Sequence, residues 1–510
     1  MEVTERDEAG NIVQIRIKSS TTGQVVLGSK ENNTSRASFL SFIAKVFLPA
    51  GYPRSVSPDY LRYQILNAAQ AFCSSLASLL SSRATLEGYG VGNASASSTD
   101  ALLLTVLQDI SNRLTTIIAA FFFGSSLFPE AKTYRFLADL LNDAAIVIDT
   151  LSPLLVSLYD AHVPTFMTTI PFLPPTVPLR VYTLCLSASI RALCGIAAGG
   201  SKTAITMHFA TPLEGTGDVG DLNAKDSSKE TVLALLGMLI GTMTVPYLTT
   251  PWSTYTVLFS MVFLHLLINY IGVRGVIFRS LNRQRACLAW MTFKSKHNLI
   301  NTPTHIASLE QILTYADIIQ SFPSRNVIGR CTMGSSFAAC HPDPDVVDIF
   351  RHQRYVLCLD RKSSLVHGAN PHFHVLLKQG YNSADQLHAW LFACEVTRLF
   401  ASMNTGTVGL YPLIQEALTT FDEDYSSFLE DLHRHGWMTV ALTADESTTK
   451  EDSEYRSPPL LSGSQTVSFS SAIPKSVIVN LSSTQDNKKD QNFQSRSSGV
   501  RMVLLRFRVQ

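Results

Sequence analysis

Apolar and polar positions are divided unevenly along this chain. Residues 231–273, TVLALLGMLIGTMTVPYLTTPWSTYTVLFSMVFLHLLINYIGV, contain no Asp, Glu, Lys or Arg. A hydrocarbon core about 30 Å thick is crossed by roughly 20 apolar residues in a helix, so this stretch has the length of two spans joined as a hairpin. Pro246, Pro251 and Trp252 stand near its middle, where a re-entry turn and an interfacial aromatic are wanted. Lys225 and Lys229 precede it, and Arg274, Arg279, Arg283 and Arg285 follow it. The positive-inside rule then puts both ends of the hairpin on the cytosolic side. The competing expectation is a buried helix pair inside a large soluble bundle.

The same patterning predicts the remaining elements. Residues 12–17 read as a short strand. Pro49, Gly51, Pro53 and Pro58 then hold the backbone irregular until Asp59, placed to cap a helix from Tyr60 to about Leu86. Gly88, Gly90 and Gly92 end that helix; with no preceding strand they do not make a phosphate loop. Residues 102–124 are apolar except for Asp109 and Arg113, one turn apart and suited to an intrahelical ion pair. On a helix through residues 131–143, Arg135, Asp139 and Asn142 share a face. Residues 161–179 hold five prolines and no charge, an irregular connection. In residues 191–210, Gly195, Ala197, Ala198, Gly199 and Ala204 would admit a close helix neighbour. Asp226 or Ser227 is placed to cap the first hairpin helix, and His265 and Asn269 share a face of the second.

Beyond residue 293 the chain changes character. Residues 308–322 suit an amphipathic helix, and 354–360 and 374–378 suit strands. Ser383 and Gln386 form a capping box opening a helix to about Met403. A further helix over 412–432 ends at Gly436, and 437–442 reads as a strand. Residues 444–500 are poor in aromatics and rich in Ser, Thr, Asn and Lys, a disordered composition, followed by VRMVLLRFRV. The fold class is therefore mainly α: a membrane-associated helical bundle, a small α+β domain and a disordered C-terminal tail. The divisions fall at 1–37, 38–292, 293–443 and 444–510.

Composition sharpens this picture. Charged residues are 16% of the 510, against about 25% in a typical soluble domain, and the deficit is concentrated in 38–292. A net charge of +1 offers no global field for nucleic acid. The acidic N-terminus (Glu2, Glu5, Asp7, Glu8) fits neither a secretory signal nor a transit peptide. Eight cysteines without a C-x-x-C pair point to a reducing compartment and no disulfide framework.

Within residues 47–92 the chain resembles the root UVB sensitive family. The resemblance rests on Phe47-Leu48-Pro49, Gly51-Tyr52-Pro53, Ser55-Val56, Asp59-Tyr60, Tyr63-Gln64, Gln70 to Ser74 and the glycine string. Leu66-Asn67 stands where the family usually has Trp-Asp. The likeness continues through residues 131–143, with Tyr134 in place of Trp, and through 223–231, with Lys229 in place of Gln. Ile110, Asn112, Thr115 and Thr116 stand where the family usually carries several glycines and an Arg. It resumes at His265, Asn269, Tyr270, Arg274 and the run from Leu281 to Arg285, and covers roughly residues 42–442. The resemblance implies association between family members and, in plants, links to UV-B responses, auxin transport and vitamin B6 balance. It implies no catalytic residues.

No nucleophile–base–orienter set, Walker A, H-E-x-x-H or paired-carboxylate motif has supporting context. His367, His372 and His374, with Cys340-His341 upstream, fall short of a zinc set and read as a loop and strand end, so no metal is expected. No cofactor is named, and no basic stripe with aromatics suggests nucleic acid. The first functional expectation is a non-enzymatic integral membrane protein, its soluble regions facing the cytosol. It acts as a scaffold or transport-related component through the lipid membrane and a protein partner, including another family member. The alternative is a small-molecule protein or enzyme, vitamin B6-like in ligand, using Arg135, Asp139, His208 and Asp226 inside the helical domain.

Overall fold

The computed structural model describes residues 2–6, 12–18, 25–27, 46–88, 98–124, 126–162, 179–212, 217–295, 301–340, 342, 344–360, 370–402 and 410–438. The expected tail at 444–510, most of the proline-rich connection, Gly90, Gly92, His341 and His367 lie outside these residues. So does most of the expected 437–442 strand.

At the N-terminus, β1 (Glu2–Arg6), β2 (Ile12–Lys18) and β3 (Val25–Leu27) form an antiparallel sheet in that order. Six long helices follow: α1 (Tyr60–Gly88), α2 (Ser98–Phe123), α3 (Ala131–His162), α4 (Leu179–Phe209), α5 (Val219–Thr244) and α6 (Pro251–Arg274). Helix α1 is the axis, packed against α3, α5 and α6, while α4 packs on α2 and α3. The two hairpin helices both lie on α1 rather than chiefly on each other. Pro251 opens α6 at a position whose N–H a helix leaves unpaired, and Thr250 caps it by accepting from the Ser253 N–H.

Three helices, α4, α5 continued through Tyr247, and α6, are long and apolar enough to cross a membrane. The expected hairpin is two of them. The protein leaves most of their apolar windows unburied: 28% of the window is buried in α4, 11% in the α5 span and 28% in α6. Leu239 (61% exposed), Met243 (67%), Phe263 (68%) and, on α2, Phe121 (79%) face outward. The buried helix pair of a soluble bundle is therefore not what forms. Tyr247 and Trp252 stand at the hairpin tip, each 83% exposed.

Close approach of α5 to α1 is made by Gly237 and Gly241. A Cβ on Gly237 would stand 2.8 Å from the Phe72 carbonyl oxygen. The four-residue spacing of small residues, a known device of membrane helix pairs, lies in GMLIG but is not among the close-packing positions expected. Of those expected, Ala197 and Ala204 are buried while Gly195 and Gly199 face open space; Gly200 adds a contact with Leu127.

A second region follows, built on different lines. It holds α7 (Arg283–Lys294), α8 (Pro303–Leu309), β4 (Ile318–Gln320), β5 (Val327–Met333), α9 (Phe337–Cys340), α10 (Pro344–Ile349), β6 (Tyr355–Leu359), β7 (His372–Leu377), α11 (Ser383–Ser402) and α12 (Leu410–Arg434). The sheet order is β4-β5-β7-β6, with β5 and β7 parallel. Trp290, Trp390, Phe373, Phe392, Phe421 and Phe428 fill its core. Helix α7 sits inside that core: Leu281, Ala286, Trp290 and Met291 bury with the C-terminal elements.

Two local expectations are corrected. The amphipathic helix over 308–322 is instead the short α8 and then β4, because helix α8 stops at Leu309 and Ile319 enters the sheet core. The capping box of α11 is made by Asn382 and Asp385, whose side chains bond each other's backbone N–H at 2.9 Å, one residue before Ser383. All eight cysteines are free.

Candidate functional site

The polar residues of the bundle point inward. On α1, Gln64, Asn67, Gln70, Ser74, Ser78, Ser81 and Thr85 recur every three or four residues, a stripe on one face. Facing helices supply the charges. Asp139 of α3 accepts from Gln70 and Asn269 and stands 3.7 Å from Arg135, which also donates to Asn67 at 3.1 Å. His265 of α6 meets Asp143 at 2.7 Å with both side chains 3% exposed. Lys202 pairs with Glu230 at 3.0 Å, and Lys229 with Asp226 at 3.0 Å. Toward the other end, Arg191 pairs with Asp149. A charge removed from water is costly unless paired, so these carboxylates and cations hold one another in place.

The pairing is incomplete where the helices part. A cavity of about 620 Å³ is lined by Asn67, Gln70, Ser74, Arg135, Asp139, Asn142, Lys202, Glu230 and His265. A second, of about 580 Å³, is lined by Ser81, Thr85, Gln108, Asp149, Ser187 and Arg191. Ser82 lines both, so the two adjoin along α1. A narrow cleft with Gln64, Arg135, Asp226 and Glu230 extends the first. From Gln64 to Thr85 the α1 stripe runs roughly 30 Å at about 1.5 Å per residue, the thickness of a bilayer core. Within it the Arg135 Nε and Asn269 Oδ1 are buried without a hydrogen-bond partner among the described residues.

The four candidate site residues divide accordingly. Arg135 and Asp139 share the larger cavity, with His265 across from them. Asp226 belongs to the adjoining cleft; it is two turns inside α5 and caps nothing, accepting instead from Tyr60 at 3.0 Å and Gln64 at 2.7 Å. The cap of α5 is Asp218, which accepts from the Gly220 N–H. His208 is apart from both cavities, 3.0 Å from Asp59 and packed on Phe278.

Asp59 likewise does not cap α1. It accepts from Ser57 Oγ, the Ile277 N–H and the His208 ring, and so fastens the starts and ends of three helices. Burial pushes its carboxyl up, but His208, Ser57 and the Ile277 N–H outweigh this and hold it below the ordinary carboxylate range. Below this clamp, Glu310 receives Lys132 at 2.6 Å and Arg285 at 3.5 Å, joining the bundle to the second region. The residues missed in sequence, Gln70, Lys202, Glu230, Asp143 and Arg191, were recoverable in part: the period of Gln, Asn and Ser along α1 is that of a helix with a polar inner face.

The fold is a helical bundle with paired charges inside, apolar side chains outside and three helices long and apolar enough to cross a membrane. The chain belongs to the vitamin B6 photo-protection and homoeostasis domain family, whose model matches residues 33–297. It is similar to RUS family member 1 of Dictyostelium discoideum, 32% identical over 286 residues, which are 56% of this chain and 50% of that protein. It is also similar to Protein root UVB sensitive 3 of Arabidopsis thaliana, 26% identical over 408 residues, 80% of this chain and 85% of the relative. Protein root UVB sensitive 2, chloroplastic, from the same plant, is 24% identical over 402 residues. The alignment spans half the length of the Dictyostelium relative. No solved structure matches the chain.

Proposed function

We propose that the bundle resides in a lipid bilayer and passes a small polar solute along its interior track, as a non-enzymatic, transport-related component. The observation that carries this reading is the inversion of polarity: outward Leu239, Met243 and Phe263, and inward Arg135, Asp139, His265 and Glu230. Exposed apolar faces of this extent are unfavourable in water and suited to lipid, and ionisable groups within spans serve binding and passage. Lys225, Arg274 and Arg279 lie at the end opposite Trp252, and by the positive-inside rule this charge supports a cytosolic second region.

Arg135 and Lys202 beside Asp139 and Glu230 suit a zwitterionic or anionic heterocycle. The family's description makes vitamin B6 compounds the first solutes to try. The test is uptake of labelled pyridoxine and pyridoxal phosphate into liposomes carrying the purified protein. Uptake above that of empty liposomes, lost in Arg135→Gln, is expected. Saturable binding without uptake would leave a receptor and not a carrier, and release of the protein from membranes by alkaline carbonate would remove the bilayer premise.

A further inference from the structure

One group of side chains in the second region stands outside the bundle's chemistry. His372 and His374 lie two apart on β7 and project from one face, while Phe373 and Val375 enter the core. One residue past β6, the Asp360 N–H donates to the His372 carbonyl at 2.8 Å, which sets Asp360 opposite His372. Ligand-capable atoms of Asp360, His372 and His374 all lie within 4.8 Å of one another. His372 Nδ1 is 3.9 Å from the Asp360 carboxylate, and the two imidazole centroids are 4.5 Å apart.

The remaining nitrogens are tethered. His372 Nε2 bonds the Thr332 hydroxyl at 2.8 Å, and His374 Nδ1 bonds the Ser335 hydroxyl at 2.8 Å. Each hydroxyl holds one ring nitrogen, which leaves His372 Nδ1 facing Asp360 and His374 Nε2 without that tether. Metal-ligating histidines are held in this way, one nitrogen on the ion and the other on a polar partner that fixes the tautomer. An ordinary strand end has no need of two such tethers.

We propose that Asp360, His372 and His374 form a divalent metal site, with zinc the ion its ligands suit best. Zinc bonds of about 2.0–2.2 Å put tetrahedral ligand atoms roughly 3.3–3.5 Å apart, so the 3.9 Å separation closes with a small turn of the Asp360 side chain. Three protein ligands leave one position open, and the Asp360 and His372 side chains, each 27% exposed, leave it reachable by water or a solute group. The bland expectation for His372-x-His374 arose because its carboxylate partner is on another strand, twelve residues earlier, with no motif spacing to announce it.

The experiment uses the full chain in detergent, stripped of metal with a chelator and titrated with zinc against a chromophoric competitor. One tightly bound zinc per chain is expected, with a thermal midpoint that rises as zinc is added. His374→Ala and Asp360→Ala should each bind at least about 10-fold more weakly. Thr332→Val and Ser335→Ala should lose about 10- to 100-fold in affinity while the metal-free midpoint stays at the wild-type value. Cobalt substituted for zinc should give a four-coordinate nitrogen–oxygen spectrum; a thiolate charge-transfer band would assign the ion to cysteine and overturn this ligand set. Equal zinc binding by the wild type and the His372→Ala, His374→Ala double variant would overturn the site itself.

Discussion

The bundle and the region after it solve the same burial problem in opposite senses. In the second region Trp290, Phe421 and Phe428 pack ring on ring with centroids 5.1–5.2 Å apart around Trp290, and the core is largely aromatic and aliphatic. In the bundle the interior holds Asp139, Asp143, His265 and Asn269, and the phenylalanines of α2 and α6 face out. One region is organised by the removal of apolar surface from water. The other turns apolar side chains outward, and its internal order comes from buried polar groups that pair with one another.

The contrast is easiest to break in the second core. Trp290 is fully buried and donates to Glu395 at 2.9 Å. Trp290→Ala should cost about 3–5 kcal/mol, read as loss of the cooperative melting of the second region, with α7 detached from it. Unchanged melting would mean that α7 belongs with the bundle. Comparable in size but opposite in chemistry is Asp139→Ala, which strands the buried Arg135 guanidinium; about 3–5 kcal/mol is expected for a broken buried pair. Thermal unfolding in detergent checks this, and an equally stable variant would show the pairs to be incidental.

Phe263→Arg sharpens the comparison at the outer face. In water an exposed substitution of this kind is nearly neutral, within about 0.5 kcal/mol. At mid-bilayer it costs about 2.5–3.5 kcal/mol of insertion free energy. Carbonate-resistant membrane recovery should therefore fall, and full recovery would count against lipid at Phe263.

Smaller effects test the packing between helices and regions. Gly237→Ala must move the Phe72 backbone and should cost about 1–3 kcal/mol, as overpacking does, whereas Gly195→Ala meets nothing within 4 Å. A melting difference between these two variants is the measurement. The smallest effect is at Glu130, which accepts from Asn282 at 2.9 Å. Burial raises its carboxyl from an ordinary 4.5 to about 7, against the pull of Arg285 and with help from Glu310. Between those values the folded protein keeps a proton that the unfolded chain releases, so this group's contribution to stability falls as pH rises from about 4.5 to about 7. Glu130→Gln should flatten that slope and melt higher than the wild type above pH 7; parallel pH profiles would refute it.

Local pattern along the chain determined a good deal. The charge-free run at 231–273, its mid-point prolines and Trp252 were enough for the hairpin, because helix length and apolarity are properties of consecutive residues. The family motifs were equally legible, and so were the long helix from Tyr60 and the ion pair of Asp109 with Arg113, 3.0 Å apart in the structure. What each polar group does was left to tertiary structure. Asp59 and Asp226 stand where local rules make them caps, yet Asp59 binds His208 and Ile277, and Asp226 binds Tyr60 and Gln64. A carboxylate takes whichever donors are desolvated beside it, and donors 149 to 218 positions away in sequence become neighbours only when α1 is enclosed by α4, α5 and the link after α6. The same reason hid Asp360 from His372 and His374: strand register, not spacing along the chain, brings them together.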